Sequence, residues 1–381
     1  MRAEAPVRWN ETPAGGFWSL TRRAEIAAVS RDNATFSSHR AGIFLDPDRV
    51  IPLDLTRNLL LYKDPPEHTK YRKILQSAFV PHSVRKLEPS IRARVERLID
   101  AVIEAGACDF LADVAVPLPL GVLAELMGLP EEDIPRLAAW TEQIEQAQLS
   151  PEPAAALETF GEMAAYLQDQ IAAQAAGDES LVRRLREAEV DGERLTDEEI
   201  LVFFGLLVFA GNDTTRNTAS SGMLALLEHP DQLAALREEP AMVEKAVEEI
   251  LRWTSVVNYF VRTATADTEL AGERIAAGDS VLMWYASASR DEAVYADPQR
   301  FDVTRSEQEH SAFGGGGRHF CLGAGLARLE LRVLFEEVLR RMDNLVLAGP
   351  VTRLPSSWAN SLTSLPLRFK PAAGSEPLVR S

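Results

Sequence analysis

The stretch from Thr196 to Pro230 constrains the fold more than any other part of the chain. Thr196-Asp197-Glu198-Glu199 has the form of a capping box, a helix start in which the first and fourth residues satisfy each other's backbone N–H groups. No helix breaker follows before His229-Pro230, so the pattern predicts one helix over 196–229, roughly 50 Å long at about 1.5 Å per residue. Its first turns, Ile200 to Gly211, read ILVFFGLLVFAG and are apolar on every side. Such a helix cannot lie on a surface, so the rest of the chain must wrap around it. The apolar run is also about half of the ~20 residues that a membrane span needs.

Composition narrows the class further. Hydrophobic residues make up 46% and charged residues 25% of 381 residues, which fits a globular chain and excludes a disordered one. Forty Lys and Arg against 57 Asp and Glu leave a net charge of -17, which argues against nucleic-acid binding. The two cysteines, Cys108 and Cys321, are far apart and form no C-x-x-C, so neither a disulfide framework nor a structural zinc site is expected. The opening MRAEAPVRWN lacks a signal-peptide pattern, and a cytoplasmic location is expected. No repeat of about 20–50 residues occurs, and the 22 Gly and 22 Pro are dispersed. One domain over 1–381 is the expectation.

Apolar residues at three- and four-residue spacing predict further helices over 67–79, 84–105, 121–128, 131–147, 154–176 and 180–188. The Ser150-Pro151-Glu152-Pro153 break would let the 131–176 region act as a lid. After Trp253 the texture changes to short strand-like runs at Val256–Val261, Leu270–Ile275 and Val281–Tyr285. A loop to Gly317, a helix from about Leu322 to Arg341 and a strand-like tail follow. The fold class is therefore mainly α with small β-sheets.

Three segments could carry chemistry. In Phe313-Gly-Gly-Gly-Gly317-Arg318-His319-Phe320-Cys321-Leu322-Gly323 the cysteine falls just before a helix, where unpaired N–H groups and the dipole favour a thiolate. The glycines let backbone wrap a sulfur closely, and no Lys-Ser or Lys-Thr follows to make a phosphate loop. Cys321 then reads as a nucleophile with His319 as base, or as an axial metal ligand. Ala210-Gly211-Asn212-Asp213-Thr214-Thr215 puts an acid and hydroxyls inside the apolar helix, where burial is costly. Either Thr214 bonds back to a carbonyl one turn earlier, or the helix opens there, admits water and relays protons. Glu249-Ile-Leu-Arg252 places opposite charges on one helix face, as does Glu337-Val-Leu-Arg340; most such pairs are solvated.

In this order, these segments resemble the cytochrome P450 family of haem-thiolate monooxygenases. The resemblance runs from Asp64-Pro-Pro-Glu-His68 to the segment after Cys321. It includes F-G-x-G-x-H-x-C-x-G with one additional glycine, A-G-x-D-T-T, E-x-x-R and the meander Asp297-Pro-Gln-Arg-Phe301-Asp-Val-Thr-Arg305. The opening Trp9-Asn…Gly-Gly-Phe-Trp18 and residues 210–217 resemble actinobacterial members that oxidise steroids and branched lipids.

The resemblance implies the P450 fold, with helix 196–229 crossing haem b, whose iron takes Cys321 as axial thiolate. It implies that His68, Arg72, Arg262 and His319 hold the propionates, which takes His319 away from a base role. Asp213 and Thr214 become the proton-relay pair for O₂, with Gly211 allowing the helix to widen. Glu249, Arg252 and Arg305 become a buried ion network. No flavin or iron–sulfur domain is recognisable, so separate ferredoxin and ferredoxin reductase partners are implied. Lys70, Arg72, Lys73, Arg85, Lys86, Arg318 and Arg328 form a candidate docking patch. The segment Ser255–Phe260 would touch substrate through Val256, Val257 and Asn258, with Asn258 orienting a polar group. Phe203, Phe204, Leu207 and Phe209 flank it, most of them in the core. The implied substrate is a steroid, terpenoid or branched lipid hydroxylated at an unactivated C–H bond. The runner-up is late oxidation of a polyketide or other natural product; a haem sensor without catalysis is the reading from another class.

Overall fold

The capping box forms as its residues require. In the computed structural model, Glu199 N donates to Thr196 Oγ1 at 3.2 Å, and Thr196 N donates to Glu199 Oε2 at 2.8 Å. The Tyr71 hydroxyl donates to Glu199 Oε1 and ties this start to the Glu67–Gln76 helix. The central helix then runs unbroken from Asp197 to Glu228. The structure describes residues 2–13, 15–45, 57–147, 154–173, 180–190, 192–307 and 309–374.

Around the central helix pack Pro117–Met127, Ile134–Ala147, Ala154–Ala173, Val243–Thr254 and Ala324–Arg341. The last two approach closely at Gly222, where a Cβ would stand 2.5 Å from Ile250 Cγ2 and 3.1 Å from Phe335 Cζ. Only the absence of a side chain permits that spacing. The helix is not buried all round, however. Leu206, Leu207 and Phe209 are half-buried, and Ala210 and Gly211 are exposed. An exposed stretch halfway along a core helix means that a cleft reaches it.

The expected 84–105 helix is two, Pro81–Arg85 and Glu88–Ile103, because Pro89 starts a new helix. The helices of the expected lid are present, but the break at 150–153 lies outside the described residues. The helix after Cys321 starts at Ala324.

The first strand-like run is displaced to Tyr259–Ala264, since Ser255 adopts a left-handed φ of 38° and residues 256–258 cross to the C-terminal segment. Leu270–Ile275 splits into the hairpin strands Thr268–Leu270 and Glu273–Ile275. The largest sheet has five strands, in the order Val7–Thr12, Gly15–Leu20, Ser280–Trp284, Tyr259–Ala264 and Phe36–Ser37. Its N-terminal hairpin was not read from the sequence. A second sheet joins Met342–Leu347, Pro366–Pro371 and Ala107–Asp109.

Candidate functional site

The cysteine loop is built on glycine. Gly314, Gly316 and Gly317 take left-handed φ values of 97°, 93° and 73°. A Cβ on Gly315 would stand 2.2 Å from Ser30 Oγ, and one on Gly317 2.2 Å from Ser30 O, so the loop lies flush on the Arg23–Arg31 helix. Cys321 N donates to Phe313 O at 3.1 Å and closes the loop. Leu322, like Phe209, packs against the core cluster that contains Val208, which brings the loop toward the central helix.

Cys321 is exposed, yet burial among protein atoms pushes its thiol pKa up against the Gly323 N–H, Arg72 and Arg328. These two facts agree if the sulfur borders a cleft and is crowded on its other sides. The helix dipole alone therefore does not make a thiolate here, contrary to the sequence expectation, because desolvation outweighs it. A metal cation bound at the sulfur would favour the thiolate.

Beside the sulfur stand cations that form no salt bridge among the described residues. The rings of His68 and His319 stand 4.1 Å apart. Burial, then Arg72, Arg318 and Arg262, push the His68 pKa down to about 4, with Asp64 opposing. Burial and the same neighbourhood hold His319 well below its ordinary range. Asp64 is already engaged by the Ser37 hydroxyl and by Ser38 N at 2.8 Å. His68 Nδ1 and Arg262 Nε are buried with no hydrogen-bond partner among the described residues. Buried cations and orphaned nitrogens carry a desolvation cost that an anion would offset. A dianionic ligand beside a thiol is the demand of this site, and a haem with two propionates and an iron meets it. A Cβ on Gly211 would meet nothing within 4 Å, so the central helix leaves room on that side. Haem thus fits the residues present.

The structure thereby brings together His68, Arg72, Arg262, His319 and Cys321. It adds Arg318, which the sequence assigned to the docking patch; its Nη1 also donates to Thr69 Oγ1 at 3.2 Å. Two other patch residues are committed elsewhere. Arg328 pairs with Glu248 at 2.7 Å and lies over the Phe313 ring, and Arg72 Nη2 donates to Phe320 O at 2.7 Å. Lys73, Arg85, Lys86 and Arg318 are the exposed members.

On the central helix, the Thr214 hydroxyl donates to Ala210 O at 3.1 Å, the local bond that competes with an open helix. The helix is α-helical through Gly211, so the expected widening is not seen; that bond satisfies the carbonyl in place. Asp213 is 1% exposed and paired with Arg216 Nη2 at 3.1 Å.

The expected substrate wall is partly corrected. Val256 is buried, and its carbonyl accepts from Asn360 N at 2.8 Å. Val257 bridges to Ala359. The Asn258 carboxamide is committed at both ends, donating to Ser357 O at 3.0 Å and accepting from Asn360 Nδ2 at 2.9 Å. It joins two chain segments rather than offering a free polar group. Phe203 and Phe204 are buried in the core. Phe209 instead stacks on Trp358, with centroids 6.0 Å apart and planes at 19°. Phe44 and Phe260 meet the same indole at 5.5 and 6.3 Å. Trp358 was missed, although a lone Trp in the polar run Ser356-Ser357-Trp358-Ala359-Asn360 was a signal.

The Glu249 network forms as expected. Glu249 takes Arg252 in bidentate fashion at 2.6 and 2.7 Å, Arg305 Nε at 3.2 Å and Asp302 N at 2.9 Å. The Glu337–Arg340 pair is not simply solvated: Glu337 is buried and also holds Arg92 at 2.9 Å.

A family model described as Cytochrome P450 matches residues 157–370. A steroid C26-monooxygenase of Rhodococcus jostii is 37% identical over 392 residues, covering 99% of this chain and 82% of the relative. A methyl-branched lipid omega-hydroxylase of Mycobacterium tuberculosis is 38% identical, covering 97% and 89%. The structure of a Mycobacterium marinum cytochrome P450 in complex with pseudoionone superposes with a TM-score of 0.88 at 38% identity, covering 97% of this chain and 92% of that one. Likeness of this extent in sequence and in fold, around a thiol and a cation cluster that suit haem, means that the chain belongs to the cytochrome P450 family of haem-thiolate monooxygenases.

Proposed function

We propose that this protein hydroxylates an unactivated C–H bond of a mid-sized lipophilic substrate, a steroid, terpenoid or methyl-branched lipid, with O₂ as oxidant. The observation that carries this reading is the aromatic wall of Phe209, Trp358, Phe44 and Phe260, in which the buried Trp358 Nε1 has no hydrogen-bond partner among the described residues. Such a wall favours a ligand whose surface is mostly apolar. The names of the steroid and branched-lipid relatives support it.

Bound haem, ligated by the Cys321 thiolate, supplies O₂ binding and O–O cleavage, which electron release from the sulfur favours. The remaining work belongs to the chain. His68, Arg72, Arg262 and His319 anchor the propionates, with Arg318 adding charge at the edge. Asp213 takes protons up and Thr214 passes them to the reacting oxygen, its hydroxyl held by Ala210 O. The aromatic wall excludes water and orients the substrate. The helices Ile134–Ala147 and Ala154–Ala173 would cover the entrance as a lid.

Electrons come from a separate ferredoxin and its reductase, docked at the exposed Lys73, Arg85, Lys86 and Arg318. No helix among the described residues is long and apolar enough to cross a membrane, and a cytoplasmic setting suits these partners.

Two results test this. In the haem-loaded enzyme, steroids or branched lipids should shift the Soret band by displacing water from the iron; no shift with these, beside tight binding of a macrolide, would contradict the substrate class. Thr214→Ala should keep consuming reduced nicotinamide while releasing peroxide in place of most product. Unchanged coupling would exclude Thr214 from proton delivery.

A further inference from the structure

We propose that Asn217 is a positioning residue for proton delivery, holding the Asp213 carboxylate with an amide whose orientation is set by the Ser361–Leu362 segment. The inference rests on the relay role of Asp213 proposed above and names what aims that acid.

Asp213 Oδ1 carries all the donors: Arg216 Nη2 at 3.1 Å, Arg216 Nε at 3.4 Å and Asn217 Nδ2 at 2.8 Å. Among the described residues, Oδ2 accepts no hydrogen bond. One oxygen is therefore tethered, and the other is left to exchange a proton. Arg216 balances the charge, but its long side chain sets direction poorly. Asn217 is the rigid partner. It is 0% exposed, and Nδ2 also donates to Asp213 O at 2.9 Å and Ser361 Oγ at 3.2 Å.

An amide has two faces, and a flip would turn its carbonyl toward the carboxylate. The Leu362 N–H prevents this by donating to Asn217 Oδ1 at 3.1 Å. A flip would set N–H against N–H at Leu362 and oxygen against oxygen at Asp213, leaving buried groups unpaired on both sides. The donor face is thus locked onto the acid from a segment 145 residues away. That segment follows directly on Trp358, so the chain that borders the aromatic wall also fixes the acid.

Asn217→Asp is isosteric; it keeps an acceptor for Leu362 N but turns an acceptor toward Asp213. Asn217→Ala removes the tether altogether. Both are compared with Asp213→Asn in haem-loaded enzyme, after spectral titration confirms that substrate affinity is within about twofold of the parent. Asn217→Asp and Asn217→Ala should each lower the product fraction by about tenfold, part of the ~10²–10⁴ that a positioned acid contributes. Peroxide release and the solvent isotope effect on kcat should rise, while KM stays near the parent value. A crystal structure of the haem-loaded Asn217→Ala variant should show the Asp213 carboxylate rotated away from its present direction. Parent-like coupling, isotope effect and carboxylate position in Asn217→Ala would overturn the proposal while leaving the relay intact. Parent-like coupling in Asp213→Asn would overturn the relay reading and this proposal with it.

Discussion

Replacing Glu249 with alanine is expected to give protein that purifies without haem and unfolds far more easily. Two guanidinium groups pair with this one carboxylate, Arg252 at 1% and Arg305 at 8% exposure, and the variant leaves both without an ion-pair partner among the described residues. Removing one partner of a buried ion pair costs about 3–5 kcal/mol, because the remaining charge has lost its water and its counter-ion. That is a large part of the roughly 5–15 kcal/mol by which domains are stable.

The loss also propagates to the haem side. Glu249 Oε1 accepts from Asp302 N at 2.9 Å, Arg252 donates to Ser289 O, Pro298 O and Arg300 O, and Arg305 donates to Ala296 O and Asp297 O. These bonds hold the meander that leads into the cysteine loop. Glu249→Gln keeps a neutral acceptor for Asp302 and should fall between the two. Haem content per chain and urea midpoints measure the effect. A soluble Glu249→Ala protein with full haem and an unchanged midpoint would remove the network from its assigned role.

The parts legible in the sequence are those specified by neighbours along the chain. Thr196 and Glu199 cap each other across three residues, and the glycines before Cys321 show by type alone that the backbone there is free to wrap closely, as the left-handed Gly314, Gly316 and Gly317 do. The N-terminal hairpin was invisible because half of its reason lies far away: Gly15–Leu20 pairs in parallel with Ser280–Trp284. Asn258 was misread for a related reason. The resemblance implied a polar group facing substrate, but the partners that occupy it, Ser357 and Asn360, are 99 and 102 residues on. The thiol illustrates a third limit. A helix start after Cys321 is legible, whereas the desolvation that outweighs its dipole depends on how the whole chain packs. Asn217 entered the sequence reading only as the end of the 210–217 resemblance, and its positioning role becomes legible only when Leu362 N–H is placed opposite it.

Cys321→Ser is expected to abolish product formation. Burial pushes the thiol upward, so a bound iron would favour the deprotonated sulfur, whereas a serine hydroxyl, far less acidic, would not be ionised in the same surroundings. The electron release that favours O–O cleavage is then lost, even where the propionate cradle of His68, Arg72, Arg262 and His319 still holds haem.

The most direct measurement needs no substrate: the absorption spectrum of the reduced carbonyl complex, recorded for the parent protein and for Cys321→Ser at equal haem content. The parent should show the long-wavelength Soret band that thiolate ligation produces, and Cys321→Ser should lack it and absorb at the shorter wavelength of other carbonyl haems. A haem-loaded parent without that band, or a Cys321→Ser variant that retains it, would contradict Cys321 as the axial ligand.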